Sequence, residues 1–369
     1  MKATVKRFAV AAAAVMTLAA LVSGCGNSSQ GSGNSNAGAT SGGSNTAASS
    51  SGTASGQSAA DFFKGKTMQL IVPYGPGGGY DQWARLIAPY LQKNLGLKQV
   101  QVVNAPGGGG LVGTNQIYAA KPDGLTIGDT NAGGDVFDQM VGANGMTFDV
   151  TKMTWLARPD DDPHVIAVHP TGQYKSFADL EKAKQPIKGL ATGKGSSDYN
   201  AAVITYNAFH IPFNMVAAFS GSSDEKAAFL RGDGDTTSLS ASDVAQAGDK
   251  AKVVVLQSDQ PFDKLPNVPT VVDLAQQAGL SQDTVNALKA MTNIMDLGHA
   301  FIAPPGIPAD RVQAIEDAMQ KSLQDPAFVA SAQKAHLYIG YLPGSQLTQM
   351  VQQAMSNTAL VKPLLNDKK

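Results

Sequence analysis

At 369 residues, 43% of them hydrophobic and 15% charged, the chain has enough apolar surface for one large core or two ordinary ones and is not disordered as a whole. A single cysteine excludes an internal disulfide and any cysteine-rich metal cluster. A formal charge of −1, with no basic stripe interleaved by aromatics, argues against nucleic acid as a partner. The chain opens on the basic stretch Met1-Lys2-Ala3-Thr4-Val5-Lys6-Arg7, and the apolar run from Phe8 to Val22 is too short to span a bilayer permanently. That make-up is a secretion signal.

Leu21-Val22-Ser23-Gly24 before Cys25 resembles the bacterial lipoprotein cleavage box, so residues 1–24 read as a signal peptide and Cys25 as a lipid anchor in the membrane. Cleavage there removes Lys2, Lys6 and Arg7 and no acid, which takes the formal charge from −1 to −4. From Cys25 to Ala60 the chain has no charge, no proline and no bulky residue, so it is expected to be a tether. A flexible coil of this composition reaches about 30–35 Å.

Lys66 to Val72 reads as a buried strand running into Pro73-Tyr74-Gly75-Pro76-Gly77-Gly78-Gly79, and a helix opens near Asp81 with Leu86, Ile87, Tyr90, Leu91 and Leu95 at helical spacing. A helix start reached through a loop without bulk presents unpaired N–H groups that suit an anion. Asp81 and Arg85, four apart, are expected to form an exposed or rim ion pair, and Pro89 to kink the helix. Gln99 to Asn104 is a second strand. It is followed by Pro106-Gly107-Gly108-Gly109-Gly110, a helix from about Leu111 to Ala120, the turn Lys121-Pro122-Asp123-Gly124 and a third strand through Gly128. This order predicts a parallel sheet with covering helices. Later, Ser222 with Glu225 reads as a capping box, Pro308 with Asp310 starts a helix and Asp325-Pro326 ends it.

The ordered motifs Val72-Pro73-Tyr74-Gly75-Pro76-Gly77-Gly78, Val103-Asn104-Ala105-Pro106-Gly107-Gly108-Gly109-Gly110 and Pro122-Asp123-Gly124-Leu125-Thr126 resemble the opening of the tricarboxylate-binding receptor family (the Bug family). These are the extracytoplasmic solute receptors of tripartite tricarboxylate transporters. Leu190-Ala191-Thr192-Gly193-Lys194-Gly195-Ser196-Ser197, Phe219-Ser220-Gly221-Ser222, Leu265-Pro266-Asn267-Val268-Pro269-Thr270 and Phe301-Ile302-Ala303-Pro304-Pro305-Gly306 continue the similarity, which covers about Lys66 to Leu342.

The resemblance implies an α/β, two-lobed type II periplasmic-binding-protein-like fold with the ligand cleft between lobes. Residues 61–163 and 300–369 would form the first lobe and 164–299 the second, with Val165–Val168 and His299–Ala303 as the crossings. It also implies that a carboxylate is held by loop amides, small hydroxyls and water. Gly77, Gly78 and Gly79 would act on the first-lobe side, with Tyr74, Tyr80, Asn131 and Gly133; Gly195, Ser196 and Ser197 would form the opposing jaw, with Ser220, Gly221 and Ser240. The chain departs from the family pattern at Tyr80, Lys194 and Asp198-Tyr199. Tyr80 and Tyr199 would give the cleft aromatic walls or face solvent, and Lys194 would meet a second carboxylate or face solvent.

The five histidines show no metal-binding spacing and none adjoins a serine-hydrolase motif, so no metal, cofactor or catalytic residue is expected. The expectation is a monomeric lipoprotein that captures a di- or tricarboxylate, aromatic ones included, and delivers it to membrane-embedded transporter subunits. A ligand sensor docking on a membrane signalling receptor and a secreted enzyme acting on an anionic substrate are the alternative readings.

Overall fold

The computed structural model describes residues 58–365; the signal segment, Cys25 and the tether through residue 57 lie outside the described residues. Within the expected tether, which runs to residue 60, Ser58 caps a helix: its hydroxyl accepts from Asp61 N at 3.2 Å. In that helix, α1 (Ala59–Phe63), Phe62 and Phe63 are buried, which anchors the entry into the fold.

β1 (Thr67–Val72) leads into α2 (Gly79–Leu95), which runs through Pro89 as one element and ends on Gly96 in the left-handed region (φ 65°). β2 (Gln99–Asn104), α3 (Leu111–Tyr118), β3 (Thr126–Asn131) and α4 (Ala132–Val141) complete the first series. β3 runs three residues past the expected end at Gly128, through the polar residues Asp129-Thr130-Asn131. Thr130 is accommodated inside by its hydroxyl, which donates to Asp135 Oδ2 at 2.6 Å and meets Thr114 Oγ1 at 2.9 Å.

β4 (Thr154–Asp160) ends the first passage through this lobe, and residues 161–163 cross to β5 (His164–Val168). The second lobe then contains α5 (Phe177–Glu181), β6 (Ile187–Leu190), α6 (Ser197–Ala208), β7 (Phe213–Val216), α7 (Ser222–Leu230), β8 (Thr236–Ser240), α8 (Ala241–Ala247) and β9 (Lys252–Leu256). α9 (Val271–Gln277) and α10 (Gln282–Met295) lead back to β10 (His299–Ala303). The return continues with α11 (Ala309–Leu323), α12 (Pro326–Lys334), β11 (Ile339–Pro343), α13 (Gly344–Ser356) and α14 (Thr358–Val361).

The first sheet has the order β11-β4-β10-β3-β1-β2 and the second β7-β6-β8-β5-β9. β1 pairs parallel with β2 and β3 as the sequence pattern predicts, but β10 lies antiparallel to β3 and β4, so the sheet is mixed. The strand that returns from the second lobe enters from the opposite end, which dictates that direction. Val165–Val168 and His299–Ala303 are therefore strands inside the two sheets immediately after each crossing, rather than the crossings themselves.

α6 is buried along all twelve residues and so has no face to solvent. It packs on α4 and α10, and the apolar core runs without a break from Ile71 and Val136 past Ile204 to Ile294. At the C-terminus, α14 packs on α10, and Asn207 Nδ2 donates to Leu364 O at 2.8 Å. The last described turns thus sit against α6 and α10, whereas the expected division places them with the first lobe.

Candidate functional site

Where the strand ends of the two sheets face each other, the lobes enclose a cavity of about 30 Å³, room for roughly two waters. The first lobe lines it with Tyr74, Gly79, Tyr80, Asn131 and His299. The second lobe adds Ser197, Ser240, Thr192, Asp198, Ser222, Asp243 and, from β5 and β8, His164, Ser238 and Leu239. Six of the residues expected from sequence, Tyr74, Gly79, Tyr80, Asn131, Ser197 and Ser240, meet here. Gly77, Gly78, Gly133, Lys194, Gly195, Ser196, Ser220 and Gly221 do not line the cavity.

The reason lies in how each loop uses its own amides. Asp81 is 3% exposed rather than a rim residue, and it organises the first loop: Oδ2 accepts from Gly77 N at 2.9 Å and Arg85 Nε at 2.8 Å, and Oδ1 from Asn104 Nδ2 at 2.9 Å. Burial pushes its carboxyl up, but the hydrogen bonds from Arg85, Gly77 and Asn104 outweigh that and hold it below the usual range. Gly75 N donates to Ser220 O at 2.8 Å and Gly79 N to Ser222 Oγ at 3.4 Å, so the first loop is bonded directly to the loop before α7. A Cβ on Gly78 would stand 3.0 Å from Ser222 Oγ.

The second-lobe glycine-serine loop faces a different part of the first lobe. A Cβ on Gly109 would lie 2.5 Å from Lys194 O, and one on Gly133 or Gly134 would crowd Ser197. The loops near 78 and 196 share one interlobe boundary, but 78 opposes 222 and 196 opposes 109. Ser196 is fully buried with its hydroxyl donating to Gly193 O at 2.6 Å, Gly195 O accepts from Asn200 Nδ2, and Lys194 is exposed. Tyr199 packs with Ala191 and Val203 instead of forming a wall.

The expected capping box also resolves differently. α7 has Gly221 at its N-cap with no side-chain cap bond, and Ser222 is free to accept from Gly79 across the lobes. Glu225, 0% exposed, is drawn inward: its oxygens accept from Thr192 Oγ1 at 3.1 Å and Thr237 Oγ1 at 2.5 Å. Burial, and then Asp198 beside it, push the Glu225 carboxyl far above the carboxylate range. Asp198 accepts from Thr192 N at 2.6 Å.

A stack of rings forms the first-lobe wall. Tyr74 and Tyr80 lie 4.7 Å apart at 25°, and Tyr80 and His299 4.0 Å apart. The Tyr74 hydroxyl is saturated, donating to Gly109 O at 2.7 Å and accepting from Asn131 Nδ2 at 3.0 Å. His299 Nδ1 bonds Asp160 Oδ2, and the ring's Nε2 points at Gly79, 3.1 Å from where a Cβ would sit. Burial lowers the affinity of His299 for its proton, but Asp160, by charge and hydrogen bond, with Asp129 and Asp162, more than offsets this and raises it to about 9. His299 is thus an imidazolium at neutral pH. Burial holds His164, the other histidine of the cavity, below its ordinary value.

Five helices that open on the cleft carry an acid in the first turn, Asp81 on α2, Asp135 on α4, Asp198 on α6, Asp224 and Glu225 on α7 and Asp243 on α8, whereas α3 carries none. Asp243 in turn pairs with Lys226 at 2.8 Å. A helix N-terminus attracts an anion by about 0.3–1 kcal/mol, and these acids already use that attraction. A hydrogen bond to a charged group contributes about 1.5–3 kcal/mol, so His299 is the stronger anion receptor. His299, Asp198 and Ser222 had no role in the site expected from sequence; a lone histidine opening an apolar strand carries no spacing signal. Among the described residues, no three His, Cys, Asp or Glu side chains are placed to hold a metal ion.

Two α/β lobes, joined by crossing segments and enclosing a polar cavity between their strand ends, define a solute-binding receptor of the periplasmic type. The chain belongs to the tripartite tricarboxylate transporter family receptors, whose family model matches residues 83–365. It is similar to a UPF0065 protein of Bordetella pertussis, 27% identical over an alignment of 283 residues, with 73% of this chain and 80% of that protein covered. Its fold matches the periplasmic binding protein BugD with a TM-score of 0.67 at 20% identity, over 81% of this chain and 97% of BugD. It also matches MatC from Rhodopseudomonas palustris, a structure with bound malate, with a TM-score of 0.66 at 20% identity over 82% and 99% of the two chains.

Proposed function

We propose that this receptor takes up a small carboxylate between its lobes and hands it, chemically unchanged, to membrane-embedded subunits of a tripartite tricarboxylate transporter. Lipid on Cys25 keeps it at the membrane and it works as a monomer. Residues 61–163 with 300–357 act as one lobe and 164–299 as the other. The observation that carries this reading is the polar cavity lined from both sheets, with an imidazolium on one wall, in a chain of this receptor family. The malate described with MatC and the adipate described with a second R. palustris protein of the same fold put small carboxylates first among candidates.

The cavity admits about two waters, so a carboxylate enters only if the lobes part. Parting releases Gly75 N and Gly79 N from Ser220 O and Ser222 Oγ, and those two amides, rather than Gly77 and Gly78, become the first loop's contribution. Isothermal calorimetry with mono-, di- and tricarboxylates, aromatic ones included, tests the reading. Binding heat with the ligand recovered unchanged after long incubation is the expected result; no heat and no thermal shift across the panel overturns it.

A further inference from the structure

We propose that the cleft is built for a ligand with a single carboxylate, seated on His299 Nε2 and the Gly79 amide, whose other end donates hydrogen bonds to the Asp198 wall. A 2-hydroxy or 2-amino monocarboxylate fits that description, and a tricarboxylate does not. The inference rests on the receptor reading above and narrows its ligand class.

The charges of the cavity wall carry it. His299 is nine-tenths buried, its Nδ1 is committed to Asp160, and among the described residues Nε2 has no partner while facing the cavity beside Gly79. An anion placed there meets Nε2–H and, once the lobes part, the Gly79 N–H at the start of α2. Among the described residues no second cation lines the cavity: Lys226 stands behind Asp243 and is bonded to it, and Lys194 is exposed outside the lining. Opposite His299 the second lobe offers acceptors, namely the carboxylates of Asp198 and Asp243 and the hydroxyls of Ser197, Ser238 and Ser240. A second carboxylate there would face Asp198 in a site shielded from water, where like charges repel strongly. A hydroxyl or ammonium would instead satisfy those oxygens.

Calorimetry on the wild type, His299→Gln, His299→Phe and Asp198→Asn tests this with lactate, alanine, malate and citrate. His299→Gln keeps a donor for Asp160 and preserves the fold, which melting curves check. The wild type should bind lactate or alanine at least 10-fold more tightly than malate or citrate. His299→Gln should lose at least 10-fold and His299→Phe at least 30-fold on every carboxylate, and Asp198→Asn should bring malate within 3-fold of lactate. His299→Gln within 3-fold of the wild type, or a wild type that prefers malate or citrate, overturns the inference while the receptor reading stands. A wild type that binds no carboxylate in the wider panel overturns the receptor reading, and this inference with it.

Discussion

On the first-lobe side of the cleft, a strand, a glycine loop and a helix present an imidazolium and two ring-stacked tyrosines; on the second-lobe side, the same sequence of elements presents Asp198, Asp243 and a row of hydroxyls. Both loops look alike in composition, and each gives one amide to the acid of the helix it opens, Gly77 N to Asp81 and Thr192 N to Asp198. What distinguishes the walls is the side chain brought in from elsewhere. His299 reaches the first wall from β10, and Glu225 supports the second from α7. A binding face assembled on a repeated backbone unit therefore takes its polarity from long-range partners, not from the loop.

The largest effect that would break this contrast is expected at the support of the second wall. Glu225→Ala strands the Thr192 and Thr237 hydroxyls in the core and should destabilise the fold by about 3–4 kcal/mol. Glu225→Gln should cost less than about 1 kcal/mol, because burial and Asp198 push the native carboxyl toward its neutral form, which an amide matches in shape and polarity. Denaturant melts of the two variants decide the matter, and equal losses would mean that Glu225 is ionised in place.

Next comes pH. His299 holds its proton to about 9 in the folded chain, against about 6.5 when unfolded. Its stabilisation is complete below pH 6.5 and lost as pH rises through 9, by up to about 3 kcal/mol. Asp135 and Asp162, raised to about 7 by burial, and Asp138, raised to about 8 by burial and Asp135, act in the same direction. The native state holds their protons while an unfolded chain releases them near pH 4, so their cost grows from there to pH 8. Thermal unfolding should show stability falling from pH 5.5 to 9.5, with a shallower fall between 6.5 and 9 in His299→Gln. A flat profile would remove the imidazolium from the first wall.

The smallest effect concerns how tightly the walls meet. A valine at Gly78 does not fill an anion position; it wedges against Ser222 and holds the lobes apart, with an ordinary backbone angle (φ −78°) that leaves folding intact. Ligand affinity should fall about 10-fold, and a melting temperature within a few degrees of the wild type should accompany it. Undiminished affinity would show that the ligand is held without closure at that point.

Much of the first lobe was legible because its signals are local. Strand, glycine run and helix follow from hydrophobic period and breakers, and Asp325-Pro326 and Pro308 mark helix boundaries that the structure places at α12 and α11. The site was half legible for the same reason: Tyr74, Gly79, Asn131 and Ser197 sit at strand and helix ends that any reader of the chain can locate. Ser222 with Glu225 misled, because the capping pattern is local while the competing partners, Thr192 and Thr237, arrive from the loop after β6 and from β8. His299 escaped notice because its meaning depends on Asp160, 139 residues earlier in the chain.

By itself the sequence determined the element order, the family and the positions where glycine lets two backbones approach, since those depend on periodicity, punctuation and the absence of a side chain. Only the tertiary structure decided which loops oppose one another, which of the chain's own acids turn inward at the cleft, and that one buried imidazolium faces the cavity. Charge balance inside a cleft is a property of neighbours in space, and distance along the chain does not encode it.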